Sequence, residues 1–389
     1  MSQLRLGIDA SNLREGGGIT HLVELLRAAE PIAHGIDQIV VWGGQKTLSR
    51  LPMQAWLTLM SDPLLNQSLP ARIFWHKFRL SNAVQQNCDI LFVPGGSYAA
   101  SFRPYVTMSQ NLLPFEQREY RRYGISWMFL KMTLLRFSQT ASFRRANGMI
   151  FLTEYARTVV MQHAKTLMGN WMIIPHGIDH RFRLSPRPAR PIDCYSQTSP
   201  FRLLYVSNVY PYKHQWNVAK AVYDLRRAGF WVELDLVGSA YPPALQRLRK
   251  VIQQEDPYEK YIHYHGSVPY AELPYWYHRA DGFVFASSCE NLPIILLEAM
   301  TAGLPIACSN RGPMLEILGD AGVYFDPERP ESIVEALAYM IQDSVWREHH
   351  AHLAYTRAQD YSWERCARET LDFIAQTARR YDAIPESAQ

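Results

Sequence analysis

The chain has 389 residues, 48% of them hydrophobic and 20% charged, with a formal net charge of +4 from 40 basic and 36 acidic side chains. Those are globular values, and so small and dispersed a positive excess, with no zinc-finger or basic-region pattern, gives no ground for a nucleic-acid partner. Cys88, Cys194, Cys289, Cys308 and Cys366 are scattered without a Cys-x-x-Cys pair, which argues against a disulfide framework or a zinc site.

The N-terminus lacks a signal-peptide layout, and no run reaches the ~18 uncharged apolar residues of a spanning helix. Leu4 to Ile8 reads as a first strand, followed by the turn Glu15-Gly16-Gly17-Gly18 and a periodic helical segment from His21 to Ala29. Further buried-strand runs are Ile39 to Trp42, Ile90 to Val93, Tyr105 to Met108, Gly148 to Leu152 and Trp171 to Pro175. Between them, Phe115 to Asn147 sets Arg118, Arg121, Arg122, Lys131, Arg136, Arg144 and Arg145 among Trp127, Leu130, Leu134 and Phe137. Basic residues beside bulky apolar ones suit a helix in an anionic membrane interface. They equally suit a packed helix with a basic solvent face.

Four prolines between Pro186 and Pro200 mark a linker over residues 186–200. A second series follows: Phe201 to Val206, Val232 to Val237, Tyr261 to His265, Phe283 to Ala286 and Pro305 to Cys308, with a helical end from Val345 to Thr377. Strands alternating with helices imply an α/β chain of parallel sheets. The halves run over 1–185 and 201–360, with 361–389 a final helical segment, and a cleft between two α/β halves is the default ligand site.

Three strand-end loops hold the candidate chemistry. Glu290 follows the apolar run Gly282 to Ala286, and Glu298 lies eight residues on in an almost wholly apolar segment that opens at Pro293. A carboxylate there must face a polar cleft or have a partner. Lys213 follows the strand ending at Val206 and can present a compact charge to a phosphate. Gly16, Gly17 and Gly18 let a backbone approach an anion ahead of a helix N-terminus, or simply form a tight turn. Gln110 and Asn111, after the Tyr105 strand, can hold sugar hydroxyls or stabilise their own loop. Glu233 and Asp235 are taken as solvent-facing or edge positions of a strand, and His263 and His265 as structural histidines, so no metal site is expected.

Together these motifs resemble glycosyltransferase family 4. The resemblance rests on Glu290-x7-Glu298 with Ala299-Met300 and Gly303-Leu304-Pro305, on Glu316 to Pro327, on Ile174-Pro175-His176-Gly177-Ile178-Asp179-His180-Arg181-Phe182, on Gly266 to Leu273 and on Ser362-Trp363-Glu364. It implies the GT-B architecture: two Rossmann-like domains facing across a cleft, acceptor-binding and nucleotide-sugar-binding, with a C-terminal helix crossing back to the first. It also implies retaining, metal-independent sugar transfer from a GDP- or UDP-linked donor, with no cofactor. By resemblance Glu298 binds ribose hydroxyls, Glu290 the donor sugar, and Asn291 and Leu292 the sugar or diphosphate. Lys213 neutralises the departing phosphate, with Asn208 and Gly16 to Gly18 flanking it, and Gln110 and Asn111 face the acceptor.

The chain departs from the family at three points. Asn208 stands where many members have Arg, which makes Arg202 or another arginine the candidate substitute. Gln110 stands where many have His, and an amide cannot shuttle a proton. Asn291-Leu292-Pro293 replaces a common Gly-Phe-Gly. The expectation is a cytoplasmic enzyme of bacterial polysaccharide or lipopolysaccharide (O-antigen) assembly, peripheral on the inner membrane through 115–147, moving a sugar (mannose the leaning) to a lipid-linked glycan. A soluble transferase with a small-molecule or protein acceptor, and an inactive GT-B scaffold, are the alternatives.

Overall fold

The computed structural model describes residues 3–14 and 16–383. Met1, Ser2 and Glu15, cited above for the N-terminal layout and the glycine turn, lie outside the described residues, as do the last six positions of the 361–389 segment. The chain divides into two compact units, one of residues 1–120, 125–177 and 362–389, the other of 121–124 and 178–361.

Seven parallel strands build the first unit: β1 (Leu4–Asp9), β2 (Ile36–Trp42), β3 (Leu57–Met60), β4 (Ile90–Val93), β5 (Tyr105–Met108), β6 (Gly148–Phe151) and β7 (Asn170–Ile173). Their order is β3-β2-β1-β4-β5-β6-β7. The central β4, β5 and β6 are buried throughout, as strands covered on both faces by helices must be, and so they read as unbroken apolar runs. The edge strand β3 is half exposed, which is why no apolar run announces it.

The second unit holds β8 (Phe201–Val206), β9 (Val232–Val237), β10 (Ile262–Gly266), β11 (Gly282–Phe285), β12 (Ile306–Ser309) and β13 (Val323–Phe325). Its parallel order is β10-β9-β8-β11-β12-β13. Both sheets are doubly wound and reverse direction beside their first strand, at β1/β4 and β8/β11. Loops at the strand C-termini open into a crevice at such a switch point, where α/β sheets take ligands.

The C-terminal helix Trp363–Asp382 belongs to the first unit, as expected, and packs on the helix Gly17–Arg27. Cys366, Ala367, Thr370, Leu371 and Ile374 form its buried stripe at helical spacing. Burying each large aliphatic side chain there contributes about 1.5–3 kcal/mol. Residues 186–200 lie within the second unit and include the short turn Ile192–Cys194.

Two sequence readings need correction. β9 is an internal strand between β10 and β8, not an edge, and Asp235 is buried. Its carboxylate is 2.7 Å from His265 Nε2 and 3.4 Å from Arg279, so that cation and ring offset the cost of burying it. The second correction concerns the basic segment. Its Arg121–Gly124 stretch sits in the second unit, where Arg122 pairs with Glu328.

Candidate functional site

In the second unit, the loops after β8 and β11 are laced together. Ser288 N–H donates to the Tyr212 carbonyl at 2.8 Å, and Ser288 Oγ lies 2.9 Å from His214 Nε2. His214 adopts a left-handed backbone, φ 51°, and opens the helix Gln215–Arg227. Burial, reinforced by the Arg122 cation, lowers its pKa to about 4, so the ring is neutral. Buried Tyr205 on β8 donates its hydroxyl to the Lys213 carbonyl at 2.6 Å, which fixes where that lysine starts.

Lys213 is 6% exposed, and its Nζ forms an ion pair with Glu290 Oε1. The same nitrogen lies 5.1 Å from the Phe285 ring centre and 5.5 Å from that of Tyr212, within cation–π range. A nearly dry lysine–carboxylate pair at a sheet switch point is costly to assemble for stability alone. It can exchange partners: the lysine for an anion, the carboxylate for hydroxyls.

Glu298 lies in the helix Ile294–Thr301, which follows Pro293 at its N-cap, and is 3% exposed. Tyr277 donates to Glu298 Oε2 at 2.8 Å. Burial pushes the Glu298 carboxyl up to about 8, against the Tyr277 hydrogen bond and with help from the nearby Asp179 charge. The acid is therefore mostly protonated at neutral pH and can donate as well as accept. Asp179 is itself held by Arg181, 2.7 Å away, and Arg181 stacks 5.0 Å over Tyr270. Tyr277, Tyr270, Asp179 and Arg181 are the part of this site that sequence reading missed. Asp179, Arg181 and Tyr270 sit inside the motifs that carry the family resemblance, which was the available signal.

Asn208 is exposed, and its Oδ1 accepts from Ser239 Oγ at 2.8 Å. Arg202 does not stand in for an arginine there. It is the second residue of β8, at the far end of the strand, roughly 13 Å from Val206 at strand rise. Asn291 and Leu292 are both buried, in the turn between Glu290 and the helix.

The remaining predicted residues lie in the first unit. Gly16 has φ 77° and precedes the helix Gly17–Arg27. A Cβ on Gly16 or Gly17 would meet nothing within 4 Å, whereas one on Gly18 would come within 2.8 Å of Gln110 Oε1. Gly18 is thus small because Gln110 packs on it, and Gly16 and Gly17 remain open. Gln110 Nε2 is 3.1 Å from His21 Nδ1. Asn111 is exposed and caps its own turn, accepting from Leu113 N–H at 3.1 Å.

The helix Trp127–Arg145 exposes Trp127, Leu130, Leu134 and Phe137, a single stripe by spacing. Much of the positive charge expected there is engaged: Arg144 donates to the Ala164 and His163 carbonyls and Arg136 to Tyr120. Lys131 is exposed. A second exposed apolar face, Leu69, Ile73, Phe74 and Phe78, lies on Leu69–Phe78, a region the sequence left unassigned. No described helix is long and apolar enough to cross a membrane.

Residues 195–359 match the family model of glycosyl transferases group 1. The matched region contains Lys213, Glu290 and Glu298. The O-antigen chain mannosyltransferase B of Escherichia coli is 30% identical over 191 residues, covering 48% of this chain and 50% of that one. The match thus spans about half the length of that curated relative. Sucrose-phosphate synthase from Thermosynechococcus elongatus has the same fold, with TM-score 0.73 at 15% identity, 98% of this chain and 100% of that one covered. So does Anabaena HepE in complex with UDP-glucose, with TM-score 0.68 at 15% identity over 98% and 100%. The two-sheet α/β fold is of the GT-B class.

Proposed function

We propose that the protein is a retaining, metal-independent glycosyltransferase that moves a sugar from a GDP- or UDP-linked donor to a lipid-linked glycan in bacterial surface-polysaccharide assembly. The buried Lys213–Glu290 pair at the β8/β11 switch point carries this reading. In the donor complex Lys213 turns to the diphosphate and Glu290 to the sugar hydroxyls. The bond from the anomeric carbon to the phosphate oxygen breaks, the acceptor oxygen bonds to that carbon, and the acceptor proton passes to the departing phosphate. Charge grows on that phosphate, and a fixed cation beside a helix N-terminus stabilises it. The amides of Asn291 and Leu292 help to hold the sugar or diphosphate, with Asn208 beside it. Neutral Glu298 binds the ribose hydroxyls. Neither glutamate needs to act as a nucleophile, unlike the paired carboxylates of retaining glycosidases. In the first unit, Gly16 to Gly18 are assigned to donor phosphate and Gln110 and Asn111 to the acceptor.

Mannose is the sugar named for the E. coli relative, and UDP-glucose is the ligand named for the Anabaena protein. The exposed stripe Trp127, Leu130, Leu134 and Phe137 supports a lipid-borne acceptor at a peripheral membrane surface. A soluble transferase with a small acceptor is the second reading, favoured by the fold shared with sucrose-phosphate synthase. It predicts no affinity for anionic vesicles. The test of the site is kinetic: Glu290→Ala should lower kcat by ~100-fold or more, the scale of losing a transition-state contact, while nucleotide affinity changes little. Unchanged transfer would remove Glu290 from the sugar site, and turnover that requires added Mg2+ or Mn2+ would overturn the metal-independent step.

A further inference from the structure

The first unit contains a buried cluster that the proposed transfer does not use. His21 comes from the helix Gly17–Arg27, His176 from the loop after β7, and Cys366 from the first turn of the C-terminal helix. One ligand atom from each lies within 4.8 Å of the other two, and all three residues are buried. Gly177 makes the approach possible: a Cβ there would sit 2.2 Å from the Trp363 backbone nitrogen. Trp363 covers the cluster, its ring 6.0 Å from His21 and 5.8 Å from His176.

His21 Nε2 and His176 Nδ1 are buried without a hydrogen-bond partner among the described residues. Two orphaned ring nitrogens in one dry pocket are expensive, about 1–3 kcal/mol each, and call for a ligand. The rings lie 4.5 Å apart centre to centre. Imidazole rings offer lone pairs at nitrogen. The donor set is imidazole and thiol without a carboxylate, which selects zinc over magnesium or calcium.

We propose that His21, His176 and Cys366 supply three of the four donors of one zinc ion, with a water as the fourth. Tetrahedral zinc with bonds of about 2.0–2.3 Å needs its donors roughly 3.3–3.8 Å apart, so the cluster closes by about an ångström on binding. The thiol proton of Cys366 is displaced by the metal and leaves to solvent. Gln110 supplies the outer contact. Its Nε2 faces His21 Nδ1 at 3.1 Å, and zinc at His21 Nε2 requires that amide to turn over so that its oxygen accepts from Nδ1–H. The ion ties the glycine-loop helix, the strand-end loop and the C-terminal helix to one another, a structural rather than a donor-site role.

The test uses untagged full-length protein, stripped with chelator and reloaded with zinc or cobalt(II). Metal analysis should find one ion per chain, and cobalt should show a thiolate charge-transfer band. Cys366→Ser should abolish the band, and both it and His176→Gln should lose stoichiometric zinc while keeping the parent circular-dichroism spectrum. Zinc should also raise the thermal midpoint of the parent and not of either variant. No stoichiometric metal, as a bridging water between the two rings would give, overturns the proposal. Zinc retained equally by both variants, as surface binding at His349 and His350 would give, also overturns it.

Discussion

Replacing Glu298 by Gln should change how stability depends on pH. In the unfolded chain a glutamate titrates near its ordinary value of about 4.3, while in the fold burial raises Glu298 to about 8. Below the lower value both states are protonated and the contribution of the neutral, Tyr277-bonded acid is fully present. Between the two values only the unfolded state ionises, so stability falls as pH rises and levels off above the folded value. At 1.36 kcal/mol per unit, roughly 3.7 units gives about 5 kcal/mol as an upper bound. A third of that would still be measurable. Gln keeps an acceptor for Tyr277 and a donor for a hydroxyl but cannot ionise. Urea unfolding of parent and Glu298→Gln, followed by tryptophan fluorescence from pH ~5 to ~9, isolates this group because other titrations cancel in the difference. The variant should gain on the parent progressively up to about pH 8. A pH-independent difference would refute the buried neutral acid. In parallel, Gln should preserve nucleotide affinity within about threefold, and Ala should weaken it by tenfold or more, the loss of one to two hydrogen bonds.

Lys213→Met should cost about 1–3 kcal/mol in urea melts, because it leaves Glu290 a nearly dry, unpaired charge, and it should abolish transfer; Lys213→Met with Glu290→Gln should recover stability but not transfer. Gly177→Ala should destabilise the first unit by more than ~2 kcal/mol, since its Cβ would overlap the Trp363 backbone; a neutral thermal melt would mean the C-terminal helix can give way there. Leu134→Glu with Phe137→Glu should lower co-sedimentation with anionic vesicles by at least ~10-fold through lost apolar insertion while leaving donor binding intact; equal binding by parent and variant would take that stripe out of the membrane account.

The architecture was legible because both sheets are parallel and covered, so β4, β5, β6, β8 and β11 stand out as apolar runs ended by loops with Gly, Gln, Lys or Glu. Strands β3 and β13 were invisible: Leu57–Met60 is half exposed and Val323–Phe325 is three residues long. The pairing of Lys213 with Glu290 could be suspected from two strand ends but not placed, since sheet order alone makes β8 and β11 neighbours. Asp235 misled because its neighbours alternate as an edge strand would, while its partners His265 and Arg279 come from later in the chain. The His21–His176–Cys366 cluster was out of reach for the same reason. Metal ligands are recognised in sequence by short spacings, and these three meet only through the crossing of the C-terminal helix.

The most direct test is a thermal-shift panel of GDP-, UDP- and dTDP-linked sugars against the parent chain and Glu298→Ala. A donor that binds the folded state raises the transition temperature by mass action. A rise with at least one donor in the parent, lost in Glu298→Ala and followed by transfer of that sugar to a glycan acceptor, is the predicted result. No shift with any donor, or a shift that Glu298→Ala retains in full, would contradict a nucleotide-sugar site at the β8/β11 switch point.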